Sequence, residues 1–199
     1  MTTNSQPSLI LASTSPYRRK LLERLQLVFS CEAPDVDETP LDGEAPRDLA
    51  VRLAQEKALN VSSRLPNAVV IGSDQVASRD GLPIGKPGTR ERAISQLLAC
   101  QGKEVLFHTG VAIAREGQII SAKSCDTVVT FRNLPVCALE DYVDRDLPLD
   151  CAGSFKWEGL GISLFKALRS DDPTALEGLP LIDVVEMLSE CGVNTLINS

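Results

Sequence analysis

Five charged side chains, Arg18, Glu38, Lys57, Asp74 and Lys86, have types and settings that suit joint chemistry, although none means much alone. Together they have the polarity for cleaving a phosphoanhydride: carboxylates hold a divalent metal and activate water, while cationic groups take up phosphate charge. The stretch LASTSPYRRKLL, residues 11–22, holds the first of them. Ser15 is a good N-cap, Pro16 suits the first helical position, and Leu21, Leu22 and Leu25 recur on one helical face, so a helix begins here. The macrodipole favours an acidic residue three places after the cap, where this chain has Arg18, followed by Arg19. One reading is solvated surface charge, because arginine is a good helix former and the penalty is only ~0.3–1 kcal/mol. The other is an anion site, in which the hydroxyls of Ser13, Thr14 and Ser15, free N–H groups and a guanidinium fork converge on phosphate oxygens.

Elements are needed to position these groups. SLILAS, residues 8–13, is a short apolar run that ends where the first helix begins, the strand-loop-helix order of many phosphate sites. A second helix over 46–61 places Leu49, Ala50, Leu53, Ala54 and Ala58 on one side and carries Lys57. Between the two helices CEAPDVDETPLDGEAP, residues 31–46, is acidic and proline-rich, a loop that holds Glu38. The segment 67–77 predicts a buried strand, Val69-Val70-Ile71, that runs out at Gly72 and leaves Asp74 at the strand's end, where ligands bind in open α/β sheets. Asp80-Gly81 has hairpin chemistry and delivers Lys86, and Thr89 caps a helix that ends before Gly102. Residues 104–132 form a long antiparallel hairpin turning at Glu116-Gly117. A short helix follows over 138–144, then a glycine-rich segment, 150–165, with an exposed Trp157-Glu158 pair, and a last helix over 180–190 ended by Gly192. The expectation is a single α/β domain over residues 1–199 built on a mixed sheet.

At 43% hydrophobic and 24% charged, the 199 residues have ordinary globular composition. No apolar run approaches the ~20 residues that span a bilayer, and MTTNSQPS lacks a basic stretch followed by a long apolar one, so neither membrane nor export is expected. The six cysteines contain no Cys-x-x-Cys pair, which argues for reduced thiols and against zinc. His108, the single histidine, is read as a packed residue, because no nearby cysteine or carboxylate pattern gives it a triad partner. The net charge of −7 argues against nucleic acid as a partner. Neither GxxxxGK[ST] nor GxGxxG occurs, which sets aside P-loop ATPases and nicotinamide dehydrogenases.

In their order along the chain, LASTSPYRRKLL, VDET at 36–39, LAQEKA at 53–58, IGSDQV at 71–76, IGKP at 84–87, FHTG at 107–110, VTFR at 129–132, DCAGSF at 150–155 and GLPL at 178–181 resemble the Maf family of nucleoside triphosphate pyrophosphatases. The resemblance implies an elongated mixed β-sheet with flanking helices, a Maf/ITPase-like two-lobed fold with a central cleft, and a homodimer. It also implies cytoplasmic hydrolysis of a nucleotide between its α and β phosphates, with Mg²⁺ or Mn²⁺. The family's catalytic carboxylate falls on Asp74 and its metal-side glutamate on Glu38. Its phosphate-side lysines fall on Lys57 and Lys86, its arginine on Arg18 and its serine on Ser13, with Ser15 beside it. Where pyrimidine-acting relatives carry arginine, threonine, lysine and glutamine, this chain has Tyr17, Gln75, Cys151 and Glu158, exchanges that look like the branch hydrolysing 7-methyl-GTP. The chemistry agrees: N7-methylation leaves guanine with delocalised positive charge, which an aromatic face at Tyr17 or Trp157 and a carboxylate at Glu158 favour. The alternatives are a dTTP/UTP pyrophosphatase of the same family and a non-catalytic nucleotide-binding regulator of cell division.

Overall fold

The two most apolar runs near the N-terminal half, Leu9-Ile10-Leu11 and Val69-Val70-Ile71, pair with each other as parallel strands buried on both faces. They belong to β1 (Ser8–Ala12) and β3 (Ala68–Arg79) of a computed structural model that describes residues 7–196. The first six residues, part of the MTTNSQPS stretch, lie outside the described residues. β2 (Phe29–Glu32) runs parallel to β1 on its other side, and β4 (Leu82–Ile84) folds back on the far end of β3. β5 (Glu104–Arg115) pairs antiparallel with β3, followed by β6 (Gln118–Phe131) and β7 (Phe165–Ser170), giving a mixed seven-stranded sheet in the order β2-β1-β3-β5-β6-β7 with β4 alongside β3. Asp80-Gly81 and Glu116-Gly117 both have positive φ, as two-residue hairpin turns require.

Among the described residues five α-helices flank the sheet: α1 (Pro16–Glu23), α2 (Pro46–Arg64), α3 (Arg90–Cys100), α4 (Val136–Asp146) and α5 (Leu181–Glu190). Ser15 and Thr89 cap α1 and α3 through their side chains, as expected. α2 and α4 extend a turn or less beyond the expected spans. No described helix is long and apolar enough to cross a membrane. Two buried clusters sit at different regions of the sheet. One gathers Leu11, Leu21, Leu22, Ile71, Ile113, Met187 and Leu188 around α1 and α5. The other centres on Phe107, Phe131, Phe155 and Phe165, whose rings meet edge-on at centroid distances of 4.8–5.9 Å.

The strand expected to stop at Gly72 continues to Arg79. β1 ends opposite Gly72, because the chain leaves it at Ser13 for α1, but β5 carries the ladder on from Val70↔Ala114 to Ser78↔Leu106. Asp74 therefore lies within β3, just past the end of its parallel neighbour. Gly72 is no strand breaker. A Cβ there would stand 2.2 Å from the Ala54 carbonyl oxygen and 2.6 Å from the Ala58 nitrogen, and one at Gly110 would stand 2.3 Å from the Ala50 carbonyl oxygen. These two glycines, opposed by Ala50, Ala54 and Ala58, let α2 lie directly on the sheet.

Candidate active site

That close approach brings a helix side chain onto a strand carboxylate. Lys57 Nζ stands 2.6 Å from Asp74 Oδ1 and 2.6 Å from Glu38 Oε1, so one ammonium is held between two carboxylates. Lys57 and Asp74 are buried, and Glu38 is largely exposed. Glu38 reaches the pair because α2 fastens the preceding loop along its own flank. Asn60 exchanges two hydrogen bonds with the backbone of Asp35, Arg64 donates to Ala33 O at 2.9 Å, and Arg52 donates to Thr39 O at 3.1 Å. Burial works against ionised Glu38, but the hydrogen bond and charge of Lys57, with Lys86 and Arg18 behind it, outweigh that and hold its carboxyl below the usual range.

Arg18 is half-buried rather than solvated. Its Nε donates to Gly178 O at 2.8 Å, which fixes the guanidinium plane. Burial lowers its pKa, and Asp74 and Glu38 work in the opposite direction. Ser13 Oγ accepts from Ser15 N, and Ser15 Oγ accepts from Arg18 N, so both hydroxyls shape the turn into α1 while bordering the cleft. Gly178 ends a strap, residues 172–178, that is stapled to the sheet. Ser73 Oγ contacts the same Gly178 O at 2.9 Å, Thr109 Oγ1 donates to Ala175 O, and Gln75 Nε2 donates to Ala175 O at 2.8 Å and Leu176 O at 3.1 Å. Buried Asp172 anchors the strap's start by accepting from Thr174 and Ile182. The Gln75 amide nitrogen, expected to face a base, is thus engaged in holding the strap, although the residue does border the cleft.

The cleft so formed has a volume of about 450 Å³, within the range of small-molecule sites. It brings together every residue singled out in the sequence for the site: Ser13, Ser15, Tyr17, Arg18, Glu38, Lys57, Asp74, Gln75, Lys86 and Glu158 all line it. Lys86 arrives on the turn after β4, whose neighbour Gly85 O accepts from Gln96, itself hydrogen-bonded to Ser154. The lining divides electrostatically. Arg18, Glu38, Lys57, Asp74 and Lys86 act on one another, whereas Tyr17, Asp150, Cys151 and Glu158 form a second group. There burial, reinforced by Asp150, pushes the Tyr17 hydroxyl and the Cys151 thiol each up to about 12, so both stay neutral. Trp157, expected to be exposed, is half-buried against the phenylalanine cluster because its indole covers that cluster's rim, and its Nε1 is buried without a hydrogen-bond partner. Glu177, at the end of the strap, also lines the cleft and was not singled out in the sequence; the nearest signal is the Asp-Pro start and glycine stop of a tight turn before GLPL.

His108 does have a carboxylate partner, contrary to the sequence reading. Its Nδ1 lies 2.9 Å from Asp126 Oδ1 and its Nε2 3.1 Å from Ser78 Oγ, because β3, β5 and β6 pair in a register that sets the three side by side. Ser78 and His108 are buried and none of the three lines the cleft, so the trio ties three strands together. Among the described residues no group of three His, Cys, Asp or Glu side chains is placed to cage a metal ion. Glu38 and Asp74, two carboxylates facing the cleft, would suit Mg²⁺ or Mn²⁺, since such ions commonly bind through one or two carboxylates and keep several waters.

A family model described as Maf-like protein matches residues 8–191. The 7-methyl-GTP pyrophosphatase of Polaromonas sp. (strain JS666) is 54% identical over 194 residues, covering 97% of this chain and 88% of that protein. The 7-methyl-GTP pyrophosphatase of Xanthomonas oryzae pv. oryzae (strain MAFF 311018) is 57% identical over 186 residues, covering 94% and 97%. Among solved structures, a HAM1 protein from Coxiella burnetii matches over 65% of this chain and 75% of its own, with 16% identity and a TM-score of 0.46.

Proposed function

The chain belongs to the Maf family, and from that premise we propose that it hydrolyses 7-methyl-GTP to 7-methyl-GMP and pyrophosphate, removing a modified nucleotide. The observation that carries this reading is the electrostatic division of the cleft lining into one group with three cations, Arg18, Lys57 and Lys86, set among Glu38 and Asp74, and another with the carboxylates Asp150, Glu158 and Glu177. A triphosphate tail suits the first and a positively charged base the second. Water attacks the α-phosphorus, the bond from that phosphorus to the α–β bridging oxygen breaks, and pyrophosphate leaves. Asp74 Oδ2, the oxygen not engaged by Lys57, takes the proton from water, and Lys57 keeps the carboxylate aimed into the cleft. Arg18 and Lys86 balance the charge that grows on the phosphate oxygens. Glu38 and Asp74 would hold a divalent ion, which would supply further charge neutralisation at the phosphates.

Glu158 and Tyr17 meet the base, the carboxylate by charge and the ring by a cation–π contact of ~0.5–2 kcal/mol. The working form is a cytoplasmic homodimer of single-domain chains. The reading is tested by kcat/KM for 7-methyl-GTP, GTP, dTTP and UTP with the wild type and Glu158→Gln. Preference for 7-methyl-GTP, eroded roughly tenfold or more in the variant with the chemical step retained, is expected. A wild type that prefers dTTP or UTP refutes the substrate, and a wild type that binds nucleotides without releasing pyrophosphate is a regulator instead.

A further inference from the structure

Glu177 takes no part in the chemistry described so far, yet it is placed with unusual care. It is the last residue of the 3-10 turn Pro173–Glu177, and the strap carrying it is fastened on both sides of its position. Ala175 O and Leu176 O accept from Gln75, and Gly178 O, one residue on, accepts from Arg18. Gly178 has φ +100°, and a Cβ there would stand 3.2 Å from Arg18 Nε, so the backbone path past Glu177 admits little besides glycine. The backbone that aims this carboxylate is therefore tied to the residues that hold phosphate.

Glu177 is half-buried in the wall that also holds Trp157 and the more exposed Glu158. Neither glutamate has an ion-pair partner among the described residues. Burial, then the charge of Glu158, push the Glu177 carboxyl above the usual range, against the weaker opposing effects of Arg24, Lys20 and the Trp157 indole. Two like charges on one cleft wall beside a half-buried aromatic ring form an arrangement that a cationic ring resolves and a neutral one does not. The Trp157 N–H is buried near Glu177 without a hydrogen-bond partner among the described residues.

We infer that Glu177 is a second specificity-determining carboxylate, which with Glu158 selects an N7-alkylated, positively charged purine over its neutral parent. This rests on the 7-methyl-GTP reading and adds to it a residue and a division of labour: the phosphate end fixes the strap, and the strap sets the second negative charge at the base. The consequence is selectivity for the charge of the base, expressed in binding and not in turnover.

The test uses the full chain carrying Glu177→Gln, which keeps size and removes charge, with Glu177→Asp as the conservative variant. Two readouts are taken below the pH at which the methylated ring loses its N1 proton: kcat and KM for 7-methyl-GTP and GTP, and calorimetric Kd for 7-methyl-GMP and GMP. In Glu177→Gln the 7-methyl-GTP to GTP preference is expected to fall about tenfold, the loss appearing in KM, with kcat changed by less than about twofold. Kd for 7-methyl-GMP should rise by about the same factor with that for GMP unchanged, and Glu177→Asp should recover part of the affinity. Equal effects on methylated and unmethylated ligands, or none on either, overturn the inference. A wild type indifferent to methylation of the triphosphate refutes the substrate reading, and the two monophosphate affinities then still decide the role of Glu177.

Discussion

Lys57→Met removes the cation between Asp74 and Glu38 while keeping most of the side chain's apolar length, and the structure allows its effect on stability to be worked through. Each carboxylate stands 2.6 Å from Nζ, a contact worth roughly 6 kcal/mol at an effective dielectric near 20 before desolvation is counted. The two contacts are not equal. The Glu38 side chain is 59% exposed, so water and salt reduce its share to about 0–1 kcal/mol. The Asp74 side chain is 13% exposed, and loss of its partner leaves a buried charge uncompensated, a change that costs about 3–5 kcal/mol. For a chain of this length each kcal/mol moves Tm by roughly 2–4 °C, so the variant should melt ~6–20 °C below wild type near pH 7. Glu38 in the wild type is depressed, so its contribution is present at neutral pH and is lost as pH falls through its lowered folded value. The gap therefore narrows only on acidification below the usual carboxylate range. Calorimetric melts of both proteins near pH 7 and at about pH 3 check it. A deficit under about 2 °C near pH 7, or one that does not shrink at about pH 3, refutes the assignment of Lys57 as the counter-charge of buried Asp74.

Asp74→Asn should retain nucleotide binding while turnover falls by roughly 10²–10⁴, measured by pyrophosphate release; near wild-type turnover would remove Asp74 from proton transfer. In the same assay wild-type activity should vanish with a chelator and return with Mg²⁺ or Mn²⁺, and full activity in chelator would end the metal proposal. Arg18→Ala should weaken triphosphate affinity by more than ~1.5 kcal/mol by titration calorimetry, and unchanged affinity would return Arg18 to a structural role. Because Arg18 also holds Gly178 O, the same variant should lose about 1 kcal/mol of stability, a cost the sequence alone did not reveal.

The legible parts were those written in local patterns. Caps at Ser15 and Thr89, hairpin turns at Asp80-Gly81 and Glu116-Gly117, and the small-residue side of α2 need only neighbouring residues to define them. The misplacement of Gly72 shows the limit of such reading. A glycine that looks like a strand's end was selected by a helix lying on it, and only the approach of Ala54 and Ala58 distinguishes the two cases. The partner of His108 was hidden for a similar reason, because Asp126 is eighteen residues away in sequence and directly opposite in strand register. The strap escaped altogether. Its bonds to Gln75 link residues 100 and 101 positions apart, and nothing near Glu177 in the chain announces that it returns to the cleft. For the cleft itself, the ordered motifs of the family resemblance supplied the grouping that spacing could not.

The arginines at the start of α1 can now be weighed against the rest of the charge. The chain carries a net charge of −7, so a triphosphate approaches an anionic protein and needs a local reversal of sign. Arg18, Lys57 and Lys86 against Glu38 and Asp74 leave one end of the cleft with a surplus of one positive charge before any metal ion is counted. Lys57 is already engaged by both carboxylates, which leaves Arg18 and Lys86 as the groups available to an incoming phosphate. An acidic residue at position 18 would suit the helix dipole and would reverse that surplus, whereas arginine costs the empty helix only ~0.3–1 kcal/mol. Asp150, Glu158 and Glu177, which line the same cleft and cluster around Tyr17 and Trp157, repel the same phosphates. A nucleotide entering with its base towards the cations is disfavoured at both ends, and an anionic tail joined to a cationic base is matched at both. The polarity of the cleft thus sets the orientation of substrate before any hydrogen bond to the base is made, and the dipole penalty at Arg18 is part of what maintains it.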